Sequence, residues 1–246
     1  MPGRLPPLVT NETYHIFNRG IDHRPTFTDK REYHRALQGL AFYQFSSPPV
    51  KLSLFLSLPE ERKEKIMDQL IHQGKKSIRI LAFCFIPNHF HFLVFQETEN
   101  GISKFMSNFQ NSFTRYFNTK HERIGPLFLD QFKAVRMETD DQLLHVSRYI
   151  HLNPYSSVVI KNLKVLENYP WSSLNEYINL LQKEICEKET ILSFFRNKKA
   201  YQEFVFDQAD YQKELEKIRH LTFEDQTPLP PPRWKRVYFP QGKISL

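Results

Sequence analysis

The sequence predicts an α+β domain over residues 8–175, with helices backing an antiparallel sheet, and a helical extension after it. Three observations predict this. An apolar strand lies near the start, a pair of strands meets at a Pro-Asn turn, and amphipathic helices are interleaved with them.

In order, "TYHIFNRG" (13–20) reads as a strand that runs into an Asn-Arg-Gly turn. "DKREYHRALQGLAFYQF" (29–45) is helical, with Tyr33, Ala36, Leu37, Leu40 and Phe45 near one face. Residues 50–57 are apolar without a clear period and are expected to form a short strand. Pro59 opens a charged helix, with Pro and Glu where a first turn accepts them. Ile78 to Ile86 and His89 to Phe95 form a tight hairpin around Pro87-Asn88. From Asn100 to Lys120, Ile102, Phe105, Met106, Phe109, Phe113, Tyr116 and Phe117 mark one buried helical face.

After the break at Gly125-Pro126, "LFLDQFKAVRM" (127–137) alternates as another strand. Thr139 and Gln142 then form a capping-box pattern. The helix they open is expected to end at Asn153, because Pro154 disfavours helical geometry in the residue before it. Residues 176–225 are helical and charged, and residues 226–246 form a Pro-rich basic tail.

Composition narrows the functional classes. Two cysteines, Cys84 and Cys186, supply neither a disulfide framework nor a thiolate zinc site. No apolar run reaches about 18 residues, and "MPGRLPPLVT" lacks a signal core, so a cytoplasmic protein with no membrane partner is expected. The net charge of +7 favours a polyanionic partner, but only moderately. With 22 Phe in the chain, aromatic abundance reflects core before base stacking.

The stretch "FCFIPNHFHFLVF" (83–95) is more specific. Strand alternation puts His89 and His91 on one face, while Phe90, Phe92 and Val94 face the other way. Two neutral imidazoles on one surface can share a divalent cation. They are too few for a structural zinc site, which takes four ligands, and suit an ion with open positions. The ordinary alternative is a pair of hydrogen-bonded, half-exposed histidines.

On the helix at 139–153, His145, Tyr149 and Asn153 stack at four-residue spacing beside the apolar face of Leu143, Val146 and Ile150. If that edge meets the histidine face, the Asn153 amide can complete a metal set with the Tyr149 phenol next to it. A phenol with a pKa of about 10 is a poor nucleophile at neutral pH without help. From spacing alone, an interfacial tyrosine with a hydrogen-bonded hydroxyl is the favoured reading.

"FIPNHFHFLV", "RYIHLNP" and "YPWSS" together resemble the REP-associated tyrosine transposases, a single-tyrosine branch of the HUH (His-hydrophobic-His) nucleases. The resemblance runs in compatible order from "YHIFNRG" through "GPLFLDQFKAV" to "NYPWSSLNEY". It implies a ferredoxin-like sheet, Mg²⁺ or Mn²⁺ dependence, and cleavage of single-stranded DNA beside a hairpin. It also implies metal ligation by His89, His91 and Asn153 and a nucleophilic role for Tyr149. The rival tyrosine, Tyr116, lies in a core stripe and has Lys rather than an amide four residues on.

Candidate DNA contacts are Asn18, Arg19, Arg115, Lys133, Arg136 and Arg148; the first five also read as ordinary surface residues. Asp130-Gln131 stands where the family often carries Gly-Arg before Phe-Lys, which removes a positive charge near the expected DNA path. The tail residues Arg233, Lys235 and Arg236 add phosphate attraction or solubility. The expected activity is nicking and rejoining of single-stranded DNA through a covalent 5′-phosphotyrosine, by a monomer or homodimer. Two other readings are a non-cleaving binder of hairpin nucleic acid and a water-using metal-dependent phosphodiesterase.

Overall fold

Ile86 pairs with His89 across Pro87-Asn88, so the two-residue turn joins β2 (Ile78–Ile86) directly to β3 (His89–Gln96). β1 (Thr13–Arg19) lies against β3, and β4 (Lys133–Arg136) lies outside β1. The computed structural model, which describes residues 7–178 and 185–222, thus has one antiparallel sheet in the order β2-β3-β1-β4. Split β-α-β units give this order in ferredoxin-like folds.

The helices are α1 (Lys30–Tyr43), α2 (Leu52–Ser57), α3 (Glu60–Gln73), α4 (Gly101–Lys120) and α5 (Asp140–Ser156). They are followed by α6 (Leu174–Ile178), α7 (Glu189–Leu192), α8 (Lys198–Phe206) and α9 (Ala209–Thr222). α1 and α4 cover the sheet face that carries Phe90 and Phe92. There Phe27, Phe85, Phe105, Phe109, Phe113 and Phe128 build an aromatic core, with Phe90 and Phe92 stacked at 4.5 Å. α5 covers the opposite face, against β2 and β3, and α8 and α9 pack outside α5.

Local chemistry fixes the helix ends. The Asp29 side chain accepts from the Glu32 N–H at the start of α1, and Thr139 accepts from the Gln142 N–H at the start of α5. The Gln142 amide oxygen in turn accepts from the Glu138 N–H. At the start of α4, the buried Gln96 side chain accepts from the Ile102 N–H. Gly101 is required there because a Cβ would stand 2.3 Å from the Ser77 carbonyl oxygen.

Three local expectations are corrected. Residues 52–57 are helical, because Leu52 and Phe55 share a face and pack on Phe42 and Leu70 in a small second core. The expected strand at 127–137 is regular only over Lys133–Arg136. Residues 127–129 instead hold β1 through a single bridge, Gly20 to Phe128. α5 continues through Pro154 to Ser156, closed by the Ser157 N–H donating to the Asn153 and Tyr155 carbonyls. Pro154 cannot donate to the Ile150 carbonyl, and α5 ends within two residues of it, with the Ile160 N–H donating to the Pro154 carbonyl at 3.0 Å.

Beyond residue 175 the chain continues the same core, with Tyr177 and Tyr201 fully buried. The expected tail at 226–246, including Arg233, Lys235 and Arg236, lies outside the described residues. Among the described residues no helix is long and apolar enough to cross a membrane.

A buried carboxylate ties α1 to the end of α4. Glu32 accepts from the Thr28 N–H and hydroxyl, from Lys120 at 2.6 Å and from His121 at 2.6 Å. Burial pushes its carboxyl pKa up, but the bonds from Lys120, His121 and Thr28 outweigh burial and hold it below the ordinary 4.5. A lowered folded pKa stabilises the protein above the unfolded value, and that stabilisation is lost as pH falls through the folded one. Glu32→Gln is therefore expected to cost about 2 kcal/mol at pH 7. In urea unfolding, its gap from wild type should close below about pH 4.5.

Candidate active site

The register places side chains from three elements on the α5 side of the sheet. Phe17 pairs with His91, Arg19 with His89 and Lys133 with Phe17, so all five share one face. His15, two residues before Phe17, joins them. His91 and His15 are buried and His89 is half-buried. The His89 and His91 ring centres lie 5.0 Å apart with their planes nearly perpendicular.

α5 brings Tyr149 to this group. Its ring stands edge-to-face against His91 at 5.4 Å and against His15 at 5.9 Å. Asn153, one turn further along α5, is fully buried, and its amide nitrogen has no hydrogen-bond partner among the described residues. The orientation of α5 is set by His151 on its inner side. His151 is fully buried, with Nε2 2.8 Å from the Ser173 hydroxyl and Nδ1 2.7 Å from the Tyr201 hydroxyl. Ser173 accepts from the Phe83 N–H in β2, so this network joins helix to sheet. On the outer side, Gln212 of α9 donates to the Tyr149 carbonyl at 3.0 Å.

The donor set has definite chemistry. His89 Nδ1 lies 2.8 Å from the Asn88 side-chain oxygen, and His91 Nδ1 lies 3.0 Å from His15 Nε2. With both Nδ1 atoms engaged, Nε2 is the atom each imidazole can offer a cation. The Asn153 amide, turned by 180°, puts its oxygen where the nitrogen now lacks a partner. Among the described residues no trio of His, Cys, Asp or Glu is arranged to hold a metal. As donors, two imidazoles and an amide oxygen have the chemistry of an open, mixed nitrogen-oxygen set, not of a closed cage; in the present rotamer the Asn153 oxygen accepts from the Ser157 hydroxyl at 3.4 Å.

The remaining expected residues fall into four groups. Arg19 lies beside His89 with its guanidinium against the His23 ring, and Lys133 is exposed on the same face. Arg115 is exposed on α4, where it lines a polar depression with Asn111 and Arg123. Arg136 points to the opposite face, as the partner of Tyr14, and is bound to Glu12 at 2.7 Å.

Two expected DNA contacts, Asn18 and Arg148, are inward-facing, and for Asn18 this corrects the surface reading. Asn18 is buried, donating to the Leu129 carbonyl and accepting from the Arg19 N–H, where it secures the irregular strand. Arg148 is buried over the Phe204 ring at 4.2 Å and donates to the Phe204 carbonyl; burial draws its pKa down to about 10. Beside it, burial and then the Arg148 charge lower His145 to about 4, so His145 is neutral at physiological pH. Tyr116 lies on α4, on the far side of the sheet, under the Arg35 guanidinium.

His15 is the residue the sequence reading missed. Its signal was the alternation of "YHIFNRG", which sets His15, Phe17 and Arg19 on one side.

Comparison with known proteins adds two findings. Residues 55–153 match the family described as Transposase IS200 like, a span that contains His89, His91, Tyr149 and Asn153. Among solved structures, the fold is similar to that of a REP-associated tyrosine transposase bound to a REP hairpin. The TM-score is 0.51 at 12% identity, over 76% of this chain and 98% of that one. At this identity the likeness establishes the fold. No curated protein matches the chain.

Proposed function

We propose, from the IS200-like transposase region at residues 55–153, that this chain is a REP-associated tyrosine transposase. In this reading it nicks and rejoins single-stranded DNA beside a hairpin. One observation carries the proposal: the Tyr149 ring, borne on α5, meets His91 of β3 edge-on at 5.4 Å. Nothing in the spacing of α5 required that meeting, and Tyr116 on the other face has no comparable histidine neighbour among the described residues.

In this reading the Tyr149 oxygen attacks a backbone phosphorus. The new O–P bond forms as the bond to the 3′ oxygen breaks. The phenolic proton goes to solvent and the departing 3′ oxygen takes one up. The product is a 5′-phosphotyrosyl link and a free 3′-hydroxyl, and attack by another 3′-hydroxyl reverses the step on a new strand. His89, His91 and Asn153 would hold Mg²⁺ or Mn²⁺, which when bound supplies charge neutralisation at the phosphate.

Arg19 and Lys133 flank the site and would track the backbone of the unpaired strand. Lys133→Ala should weaken binding of a hairpin oligonucleotide similarly across sequences and lower the salt slope by about one. Arg136→Ala, on the other face and paired with Glu12, should leave both unchanged in a fluorescence-anisotropy titration.

The activity is tested by incubating the protein with Mn²⁺ and a labelled single-stranded hairpin oligonucleotide, then looking for an SDS-resistant adduct. The proposal expects one. Cleavage without an adduct would assign a water-using phosphodiesterase, and binding without cleavage a non-cleaving module.

A further inference from the structure

We propose that His15 is a positioning residue that selects the ring nitrogen His91 presents to the site. His15 Nε2 lies 3.0 Å from His91 Nδ1, the two rings are stacked at 5.2 Å, and both residues are buried. A neutral imidazole carries its one proton on either nitrogen, and a hydrogen bond at Nδ1 decides which. His91 Nδ1–H donating to His15 Nε2 leaves His91 Nε2 unprotonated. His15, accepting at Nε2, carries its own proton on Nδ1.

The neighbouring strand position has its own device. His89 Nδ1 meets the Asn88 side-chain oxygen at 2.8 Å, an acceptor that can bond only to Nδ1–H. Each member of the His-x-His pair therefore has a partner at Nδ1. One partner comes from the adjacent turn residue, the other from a different strand. The strand pairing makes the second possible, since Leu93 opposite His15 and His91 opposite Phe17 are one pleat apart.

Phe17 packs against both rings, at 5.0 Å from His15 and 5.6 Å from His91, and Tyr149 closes the edge. The pair is thus held in one orientation as well as one tautomer. Outer groups of this kind typically change metal affinity about 10- to 100-fold when removed. His15 lies outside the segment that matches the family model.

The role toward a cation rests on the function proposed above, but the tautomer does not, so the test has two arms. In metal-free protein labelled with ¹⁵N-histidine at pH 8, long-range ¹H–¹⁵N correlation should find the His91 proton on Nδ1. His15→Ala should shift that population toward Nε2–H, and His15→Gln, whose side-chain oxygen can accept, should restore it. Titration with Mn²⁺, followed by the electron paramagnetic resonance of the free ion, should show about 10- to 100-fold weaker binding in His15→Ala and partial recovery in His15→Gln. A wild-type His91 protonated on Nε2 overturns the proposal. So does His15→Ala with tautomer and affinity both unchanged. The expected tautomers without Mn²⁺ binding in any variant would uphold the positioning role and remove the metal from the proposed function.

Discussion

In Tyr149→Phe protein the SDS-resistant DNA adduct is expected to fall at least about 10³-fold, the scale on which loss of a nucleophile is felt. The substitution removes one oxygen and keeps the ring that packs edge-on against His91 and His15. Stability should therefore change by no more than about 1 kcal/mol, and hairpin binding should persist. Tyr116→Phe serves as the counterpart. Its ring lies under Arg35 on the other side of the sheet, and its adduct yield should equal wild type. An adduct lost in Tyr116→Phe but retained in Tyr149→Phe would reverse the assignment.

The largest loss of stability is expected from His151→Ala. This imidazole is fully buried, and burial lowers its pKa to about 3, so it is neutral in the folded protein near pH 7. Its two nitrogens join Ser173, which is fastened to β2, with Tyr201 of α8. Truncation removes both bonds and leaves a cavity where α5 meets Ser173, Tyr177 and Tyr201. The two hydroxyls keep other partners, since Ser173 also bonds to Phe83 and Tyr201 donates to Ser147. That limits the cost to about 3 kcal/mol. For a chain of this size it amounts to roughly 6–12 °C in melting temperature, measurable by circular dichroism. Because His151 and Tyr149 share a helix, loosened packing should also lower adduct formation by the folded fraction. A displacement near 1 Å can cost about 10²-fold.

Much of this arrangement was legible before coordinates. The hairpin followed from Pro87-Asn88 between two apolar runs, and the shared face of His89 and His91 followed from strand parity. The stack of Tyr149 and Asn153 followed from helical spacing. What periodicity does not contain is which strand lies beside which. His15 had the correct parity in its own strand, yet only the pairing of β1 with β3 brings it to His91.

Exposure was equally a tertiary property. Arg148 precedes Tyr149 on a charged helix and looks solvated, but α8 closes over it and supplies the Phe204 ring and carbonyl. Asn18 looks like a turn residue and is instead the plug that completes an irregular strand. Residues 52–57 and Pro154 show the same limit from the backbone side. Leu52 and Phe55 pack as a helical face where the sequence has no clear period, and α5 runs two residues past its proline.

In the proposed function the phenol of α5 and the imidazoles of β3 serve one cation-binding reaction centre. A crystal of the protein grown with Mn²⁺ and measured at an anomalous wavelength tests this most directly. The expected result is a peak within coordination distance of His89 Nε2, His91 Nε2 and the Asn153 amide oxygen, with the Tyr149 hydroxyl facing it. A peak elsewhere, with these three residues uninvolved, or a Tyr149 hydroxyl turned away from the ion, would contradict it.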